Sequence, residues 1–220
     1  MVRHSSAARA LSFAETKPPL ERWFEQNKLP EPSRAAITRW LELLCEWNGR
    51  IDLTAARSGG ELVDLMLADA AAVSAHLPAG ARVLDVGTGA GAPGLAIALS
   101  RPDLAVTLCE PLTKRVSFLR TVIGSVGRSD VTLVGKRGEE LPEGGFDEVM
   151  ARATLPPPEW LALGAKLVKP GGGVWVLLAT GEAPEATRMR ARVTLDVRYP
   201  WVETGVTRRA VRYAIEDGTG

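Results

Sequence analysis

The period of the apolar residues changes once along this chain, near residue 80. Before that point apolar side chains recur every three or four residues, which is the period of an amphipathic helix. The pattern predicts helices at residues 18–29, 31–47 and 60–77. In the second helix, a stripe that includes Trp40 and Leu44 predicts a face packed against the rest of the protein.

After residue 80, short apolar runs alternate with helical segments. Strands are predicted at residues 82–86, 105–109, 131–134, 147–150 and 174–178. Helices are predicted between them at residues 93–100, 113–126 and 157–169. This alternation is typical of a doubly wound α/β fold with a parallel sheet. Two further strands, at residues 193–198 and 210–215, are expected to close the sheet as an antiparallel hairpin.

These patterns divide the chain into three parts. Residues 1–17 contain no apolar run and are predicted to form a disordered tail. Residues 18–80 form a helical extension, and residues 81–217 form the α/β domain. We expect the extension and the domain to pack as one compact unit, because 220 residues suffice for one large core.

A glycine-rich loop follows the first predicted strand. Gly87, Gly89, Gly91 and Gly94 fall within eight residues, and an apolar helix begins directly after them. Glycines at this spacing let the backbone turn sharply and approach a ligand that a Cβ atom would obstruct. The N–H groups of the following helix point towards that ligand. A loop of this kind predicts a site for a nucleotide or an adenosine-containing cofactor.

The charges around the loop favour one cofactor over another. Gly89, Gly91 and Gly94 also match the G-x-G-x-x-G pattern of dinucleotide sites. Asp85, however, directly precedes the loop, where a carboxylate repels a pyrophosphate but suits the ammonium and sulfonium of S-adenosylmethionine. Glu110, at the end of the second strand, is placed to accept hydrogen bonds from ribose hydroxyls in either case. The residues therefore favour S-adenosylmethionine, and a dehydrogenase remains the more distant alternative.

Composition restricts which classes of protein the chain can belong to. The net charge is only +1, 45% of the residues are hydrophobic, and no apolar run is long enough to span a membrane. Two cysteines and two histidines fit no metal-ligand spacing, so we expect no metal site, and the cysteine usage indicates a reducing cytoplasm. Basic residues are concentrated at 114–137 and 185–213. Two interpretations stay open for these stretches: a surface that binds a polyanion, or ordinary solvated faces.

Several short motifs, in order and spacing, resemble a known family. They are LLCEWN at 43–48, IDLT at 51–54, KRVSFLR at 114–120, RGEEL at 137–141 and FDEVMARA at 146–153. Residues 81–216 resemble Rossmann-like class I methyltransferases. Residues 40–215 resemble the glucose-inhibited division protein B family, whose members methylate guanine N7 in bacterial small-subunit ribosomal RNA. The resemblance implies a seven-stranded, mostly parallel sheet with an antiparallel final hairpin, and small-subunit ribosomal RNA or a pre-ribosomal particle as the partner of a cytoplasmic monomer.

The resemblance also implies roles for individual residues. Arg152 is expected to follow the fourth strand and to orient the cofactor or the substrate, as the candidate catalytic residue. The candidate cofactor-binding residues are Asp85, Gly87, Thr88, Gly89, Gly91, Ala92, Glu110, Gly138, Glu139 and Arg152, of which Gly138 and Glu139 would hold the adenine. Because guanine N7 attacks with an unprotonated lone pair, no general base is required.

The substrate half of the chain departs from the family pattern. Members usually carry a histidine and an Asp-Ser pair where this chain has Met66, Asp69 and Ala70. They carry a bulkier residue at Ala92 and a lysine where residues 179–180 are Ala-Thr. These departures leave a second hypothesis open, a cofactor-binding relative whose substrate pocket is decayed or retargeted.

Overall fold

The α/β fold predicted from the alternating pattern is confirmed. The computed structural model describes residues 11–185 and 191–216. Its seven strands are β1 (Arg82–Val86), β2 (Ala105–Cys109), β3 (Thr132–Val134), β4 (Phe146–Arg152), β5 (Val168–Leu178), β6 (Ala191–Pro200) and β7 (Thr207–Ile215). They form one sheet in the order β3-β2-β1-β4-β5-β7-β6. The first five strands pair in parallel, and β7 pairs antiparallel with both β5 and β6.

The helices differ from the sequence prediction mainly in the N-terminal part. They are α1 (Phe13–Asn27), α2 (Glu31–Asn48), α3 (Gly59–Val63), α4 (Asp69–Ser74), α5 (Gly94–Ser100), α6 (Thr113–Ser125) and α7 (Pro157–Leu167). Helix α1 begins five residues before the predicted start, which corrects the predicted tail at residues 13–17. The reason is burial, since Leu11 and Thr16 are enclosed by the protein and Thr16 donates a hydrogen bond to the Ser12 carbonyl. The rest of the predicted tail, residues 1–10, lies outside the described residues.

The predicted third helix is interrupted by a wider turn. Residues Asp64–Ala68 form a π-helical turn between α3 and α4, with hydrogen bonds between residues five apart. Side-chain period alone gives no sign of such a turn, because its flanking residues keep the helical pattern. Wide turns of this kind occur frequently at functional sites.

One bulge moves the start of β5. Phe146 pairs with Val168 and Glu148 pairs with Gly173, so the extra residues of β5 are left unpaired in a bulge. The strand therefore begins six residues before the predicted residue 174. Beyond the bulge the register is regular and ends with Arg152 opposite Leu177.

The helical extension and the sheet share one hydrophobic core. Trp40, on α2, is fully buried and donates a hydrogen bond from Nε1 to the carbonyl of Ala90 at 3.0 Å. The stripe predicted on α2 thus supports the glycine-rich loop from behind. Within residues 11–185 and 191–216, no helix is long and apolar enough to cross a membrane.

Candidate active site

A large cavity lies at the carboxyl ends of the central strands. It has a volume of about 650 Å³, within the usual range of small-molecule sites. In an open α/β sheet this edge is where ligands bind. Eight of the ten predicted site residues line the cavity: Gly87, Thr88, Gly89, Ala92, Glu110, Gly138, Glu139 and Arg152. The remaining two, Asp85 and Gly91, lie behind the lining.

Glu110 is held with both carboxylate oxygens in use. Its side chain is 2% exposed, Oε2 accepts from the Gly89 N–H at 2.9 Å, and Oε1 accepts from the Leu112 N–H at 2.9 Å. The Arg115 guanidinium lies 3.9 Å from Oε2. Each oxygen has a second lone pair available, so the carboxylate can accept from two vicinal hydroxyls while it holds the glycine-rich loop to the end of β2.

Asp85 supports the loop from within the protein. Its side chain is fully buried, and Oδ2 accepts from the Gly94 N–H at 2.8 Å, which fixes the first residue of α5. Burial raises the pKa of Asp85 to about 6, against the lowering effects of the Gly94 N–H and the Arg152 charge. Asp85 Oδ1 and Thr88 Oγ1 are buried without a hydrogen-bond partner among the described residues. Asp85 therefore holds the glycine-rich loop in place and does not line the cavity itself.

The glycines of the loop have different structural roles. Gly87 has φ +70°, and a Cβ atom there would lie 2.4 Å from Thr154 Oγ1, which itself donates to the Val86 carbonyl. Only glycine lets the ends of β1 and β4 approach in this way. Gly91 does not line the cavity, since it packs against Trp40 and Leu95. Gly91 therefore has a packing role in the structure, and its contact with a cofactor stays a prediction.

The IDLT motif reaches the cavity because of one side chain. Asn48, the last residue of α2, accepts hydrogen bonds at Oδ1 from the backbone N–H groups of Leu53 and Thr54, at 3.0 and 3.1 Å. These bonds fold the segment back so that Leu53 and Thr54 line the cavity opposite the glycine-rich loop. The helical extension thus contributes one wall of the site.

Arg152 was predicted to follow the fourth strand, and in the structure it is the last residue of β4. Its Nη1 donates to Asp69 Oδ2 at 2.9 Å and to the carbonyl of Leu65 in the wide turn. Its side chain lines the large cavity and also a second cavity of about 390 Å³. Arg152 therefore lies where the two cavities meet.

Sequence reasoning associated Arg152, Asp69 and residues 179–180 with the substrate, but it did not identify Tyr199 and Trp201 as part of a site. Besides Arg152, the polar and aromatic lining of the second cavity consists of Asp69, Thr180, Tyr199, Trp201 and Arg208. The Arg208 guanidinium lies over the Trp201 ring, 3.9 Å from its centre, and its Nε has no hydrogen-bond partner among the described residues. The available signal was Asp69, which matches the acid of the family's Asp-Ser pair. The departures Met66 and Ala92 line the first cavity, and Ala179 and Thr180 line the second.

Comparison with known proteins identifies the family. The profile described as "GidB: rRNA small subunit methyltransferase G" matches residues 33–208. This chain belongs to that family. It is 32% identical to the ribosomal RNA small subunit methyltransferase G of Myxococcus xanthus over 189 residues, which cover 82% of this chain and 87% of that one. It is 38% identical to the protein of the same name from Chromobacterium violaceum over 146 residues, covering 66% and 70% of the two chains.

Solved structures confirm the Rossmann-like methyltransferase fold. The 1,6-didemethyltoxoflavin-N1-methyltransferase of Burkholderia thailandensis, solved with S-adenosylhomocysteine, matches with a TM-score of 0.55 and 19% identity, covering 83% of this chain and 89% of that one. A methyltransferase from Pyrococcus furiosus matches with a TM-score of 0.53 and 18% identity, covering 81% and 97% of the two chains. The GidB-family chain is an S-adenosylmethionine-dependent methyltransferase, as the charges around its glycine-rich loop predict.

The residues of the large cavity fit this cofactor. The buried Asp85 charge behind the loop favours a cationic group, and Glu110 has lone pairs for two hydroxyls. Among the described residues there is no cluster of three or more histidine, cysteine, aspartate or glutamate side chains able to hold a metal ion.

Proposed function

We propose that this GidB-family enzyme methylates N7 of a guanine in small-subunit ribosomal RNA, with the cofactor in the large cavity and the target base in the second. The observation that carries the proposal is the meeting of the two cavities at Arg152, at the carboxyl edge of the sheet. The proposal takes the ribosomal RNA or a pre-ribosomal particle as the partner, and the protein as a cytoplasmic monomer.

The cofactor is held, in this proposal, by two backbone segments and one acid. The open faces of Gly87–Gly89 border the methionine end, and Glu110 accepts from the ribose hydroxyls. Gly138 and Glu139, in the turn Gly138–Glu140 after β3, border the adenine. When bound, S-adenosylmethionine supplies a methyl group activated by a positive sulfonium.

The second cavity offers guanine hydrogen-bond donors and apolar surface. Guanine presents two acceptors, N7 and O6, on one edge. Arg208 lines the cavity, and donation from its guanidinium to O6 would leave the N7 lone pair free to attack. Leu155, Leu177 and Pro157 provide apolar surface for the ring faces. Rate enhancement would then come from positioning, because N7 has no proton to remove.

Isotope mapping tests the function. We expect the wild-type protein, incubated with methyl-labelled donor and small ribosomal subunits, to place label at a guanosine that becomes sensitive to borohydride and aniline cleavage. Arg152→Ala is expected to lower kcat about 30-fold in the folded protein, since a misplaced reaction partner costs up to about 100-fold. It should also lower the melting temperature, because the buried Asp69 carboxylate loses its ionic partner. Label on another atom would refute the N7 assignment. Cofactor binding without any transfer would favour the relative with a decayed or retargeted pocket.

Two lysines at opposite edges of the sheet test how the RNA docks. Lys136 is exposed beside Arg137 at the mouth of the large cavity, whereas Lys166 is exposed at the end of α7, near the amino end of β5. Lys136→Glu is expected to weaken RNA binding and to lower the salt slope of log K by about one, the loss of one phosphate contact. Lys166→Glu, with the same charge change, should leave both unchanged. Equal effects of the two variants would show that only net charge matters.

A further inference from the structure

Asp69 joins three parts of the protein that are distant in sequence. Its side chain is buried, and Oδ2 accepts from Arg152 Nη1 at 2.9 Å. Oδ1 accepts from the Tyr199 hydroxyl at 2.8 Å and lies 3.4 Å from Trp201 Nε1. One carboxylate therefore holds the arginine between the two cavities and two aromatic walls of the second cavity.

The wide turn before α4 brings the Asp69 side chain towards the same side of the helix as Asp64. In an α-helix, residues five apart point roughly 140° away from each other. A π-helical turn takes up one more residue, so Asp64 and Asp69 lie more nearly above one another. Asp64 accepts from the backbone N–H groups of Glu203 and Thr204, at 3.1 and 2.8 Å, in the loop between β6 and β7. Both carboxylates thus hold the same hairpin.

The same segment also binds the arginine through its backbone. The Leu65 carbonyl, inside the wide turn, accepts a second hydrogen bond from Arg152 Nη1. With two acceptors on one nitrogen, one of them ionic, the guanidinium has a fixed direction. Neither acceptor belongs to the sheet on which Arg152 lies, so its orientation depends on the helical extension.

We propose that Asp69 is a positioning residue for methyl transfer, acting through Arg152. Asp69 fixes the position of the Arg152 guanidinium at the cofactor cavity. Because the same carboxylate binds Tyr199 and Trp201, it also fixes the position of the guanidinium relative to the wall of the second cavity. This inference rests on the proposed function, because transfer to RNA is the reaction that Asp69 would assist. Asp69 itself does not touch the reacting atoms.

A double-mutant cycle in the full-length protein tests the inference. Asp69→Asn keeps the size of the side chain but removes its charge, and we expect kcat to fall about 10- to 30-fold. The KM for small subunits and the Kd for S-adenosylhomocysteine by calorimetry should stay within about threefold. In an Arg152→Ala background, Asp69→Asn should change kcat by less than about threefold, because residues that act as one unit are not additive.

Asp196→Asn is the matched control on the same hairpin. Asp196 pairs with Arg209 on the surface, with Arg209 Nη2 2.6 Å from Oδ2, and it lines neither cavity. Its substitution should leave kcat unchanged. If Asp69→Asn does not fold, Asp69→Glu, which shifts the carboxylate by one methylene, carries the same expectation. Additive effects in the cycle, or a loss of affinity equal to the loss of kcat, would overturn the inference. An inactive wild-type protein would instead refute the proposed function.

Discussion

Replacing Gly89 with valine is expected to weaken S-adenosylmethionine binding by more than about 300-fold. Gly89 has φ +62°, and the atoms nearest to an added Cβ are 3.9 Å away, so the side chain would enter the open cavity. A β-branched residue in this left-handed region is strained by roughly 1–2 kcal/mol, and its methyl groups would take space that the cofactor needs. The Gly89 N–H also donates to Glu110 Oε2, so a shifted loop would misplace that acid. Calorimetry measures the loss of affinity.

Gly127→Val separates the two causes of the expected loss, which are backbone strain at positive φ and loss of space for the cofactor. Gly127 has φ +68° and nothing within 4 Å of an added Cβ, but it lies in the turn after α6 and lines none of the described cavities. It should lower the free energy of unfolding about as much as Gly89→Val does and leave cofactor affinity unchanged. Wild-type affinity in Gly89→Val would remove the loop from the cofactor site.

The sequence predicts the cofactor half of the site better than the substrate half, for a physical reason. The glycine-rich loop, Asp85 and Glu110 lie at the ends of two neighbouring strands, so the βα pattern itself brings them together. The conformational demands of the loop also require glycine, which is visible in any single sequence. Gly91 shows the limit of this argument, because a glycine required for packing against Trp40 looks the same as one required for a ligand.

The second cavity depends on contacts that no local pattern encodes. Asp69 and Tyr199 are 130 residues apart, and their hydrogen bond needs both the wide turn and the position of the hairpin. The bulge in β5 and the early start of α1 are similar, since each follows from tertiary packing that overrides local signals. The second basic stretch, residues 185–213, also depends on tertiary contacts. Two of its arginines, Arg209 and Arg212, form ion pairs with Asp196 and Glu148, so their charges are partly neutralised within the protein.

Replacing Asp85 with asparagine is expected to stabilise the free protein while it weakens cofactor binding. Burial raises the pKa of Asp85 to about 6 from an ordinary 3.8, a difference that corresponds to roughly 3 kcal/mol. Because the folded protein disfavours the ionised form, the wild type loses this stability as the pH rises from about 4 to about 6, and the loss is complete above that range. An amide can still accept from the Gly94 N–H and carries no charge to bury. The gain from Asp85→Asn should therefore approach 3 kcal/mol at pH 8 and vanish near pH 4, as measured by chemical denaturation.

Asp103→Asn provides a control of opposite sign. The hydrogen bond from Arg101 lowers the pKa of Asp103 to about 2, so its ionised form stabilises the folded protein. Stability from such a group is present above about pH 4 and is lost as the pH falls towards 2. Asp103→Asn should therefore destabilise the protein at pH 8, where Asp85→Asn stabilises it. If aspartate-to-asparagine substitution had one general effect, both variants would change the free energy of unfolding in the same direction at pH 8.

Cofactor affinity should respond to Asp85 in the opposite direction from stability. The ionised carboxylate behind the loop attracts the ammonium and sulfonium groups, and an interaction of this kind in a partly screened interior is worth roughly a factor of ten in Kd. Wild-type affinity should then rise between pH 5 and pH 7 as Asp85 loses its proton, with proton release detected by calorimetry in buffers of different ionisation enthalpy. In Asp85→Asn the affinity should be about tenfold lower at pH 8 and nearly independent of pH across this range. A variant that binds as tightly as the wild type at pH 8 would show that the Gly94 hydrogen bond, and not the charge, is what the cofactor site requires from Asp85.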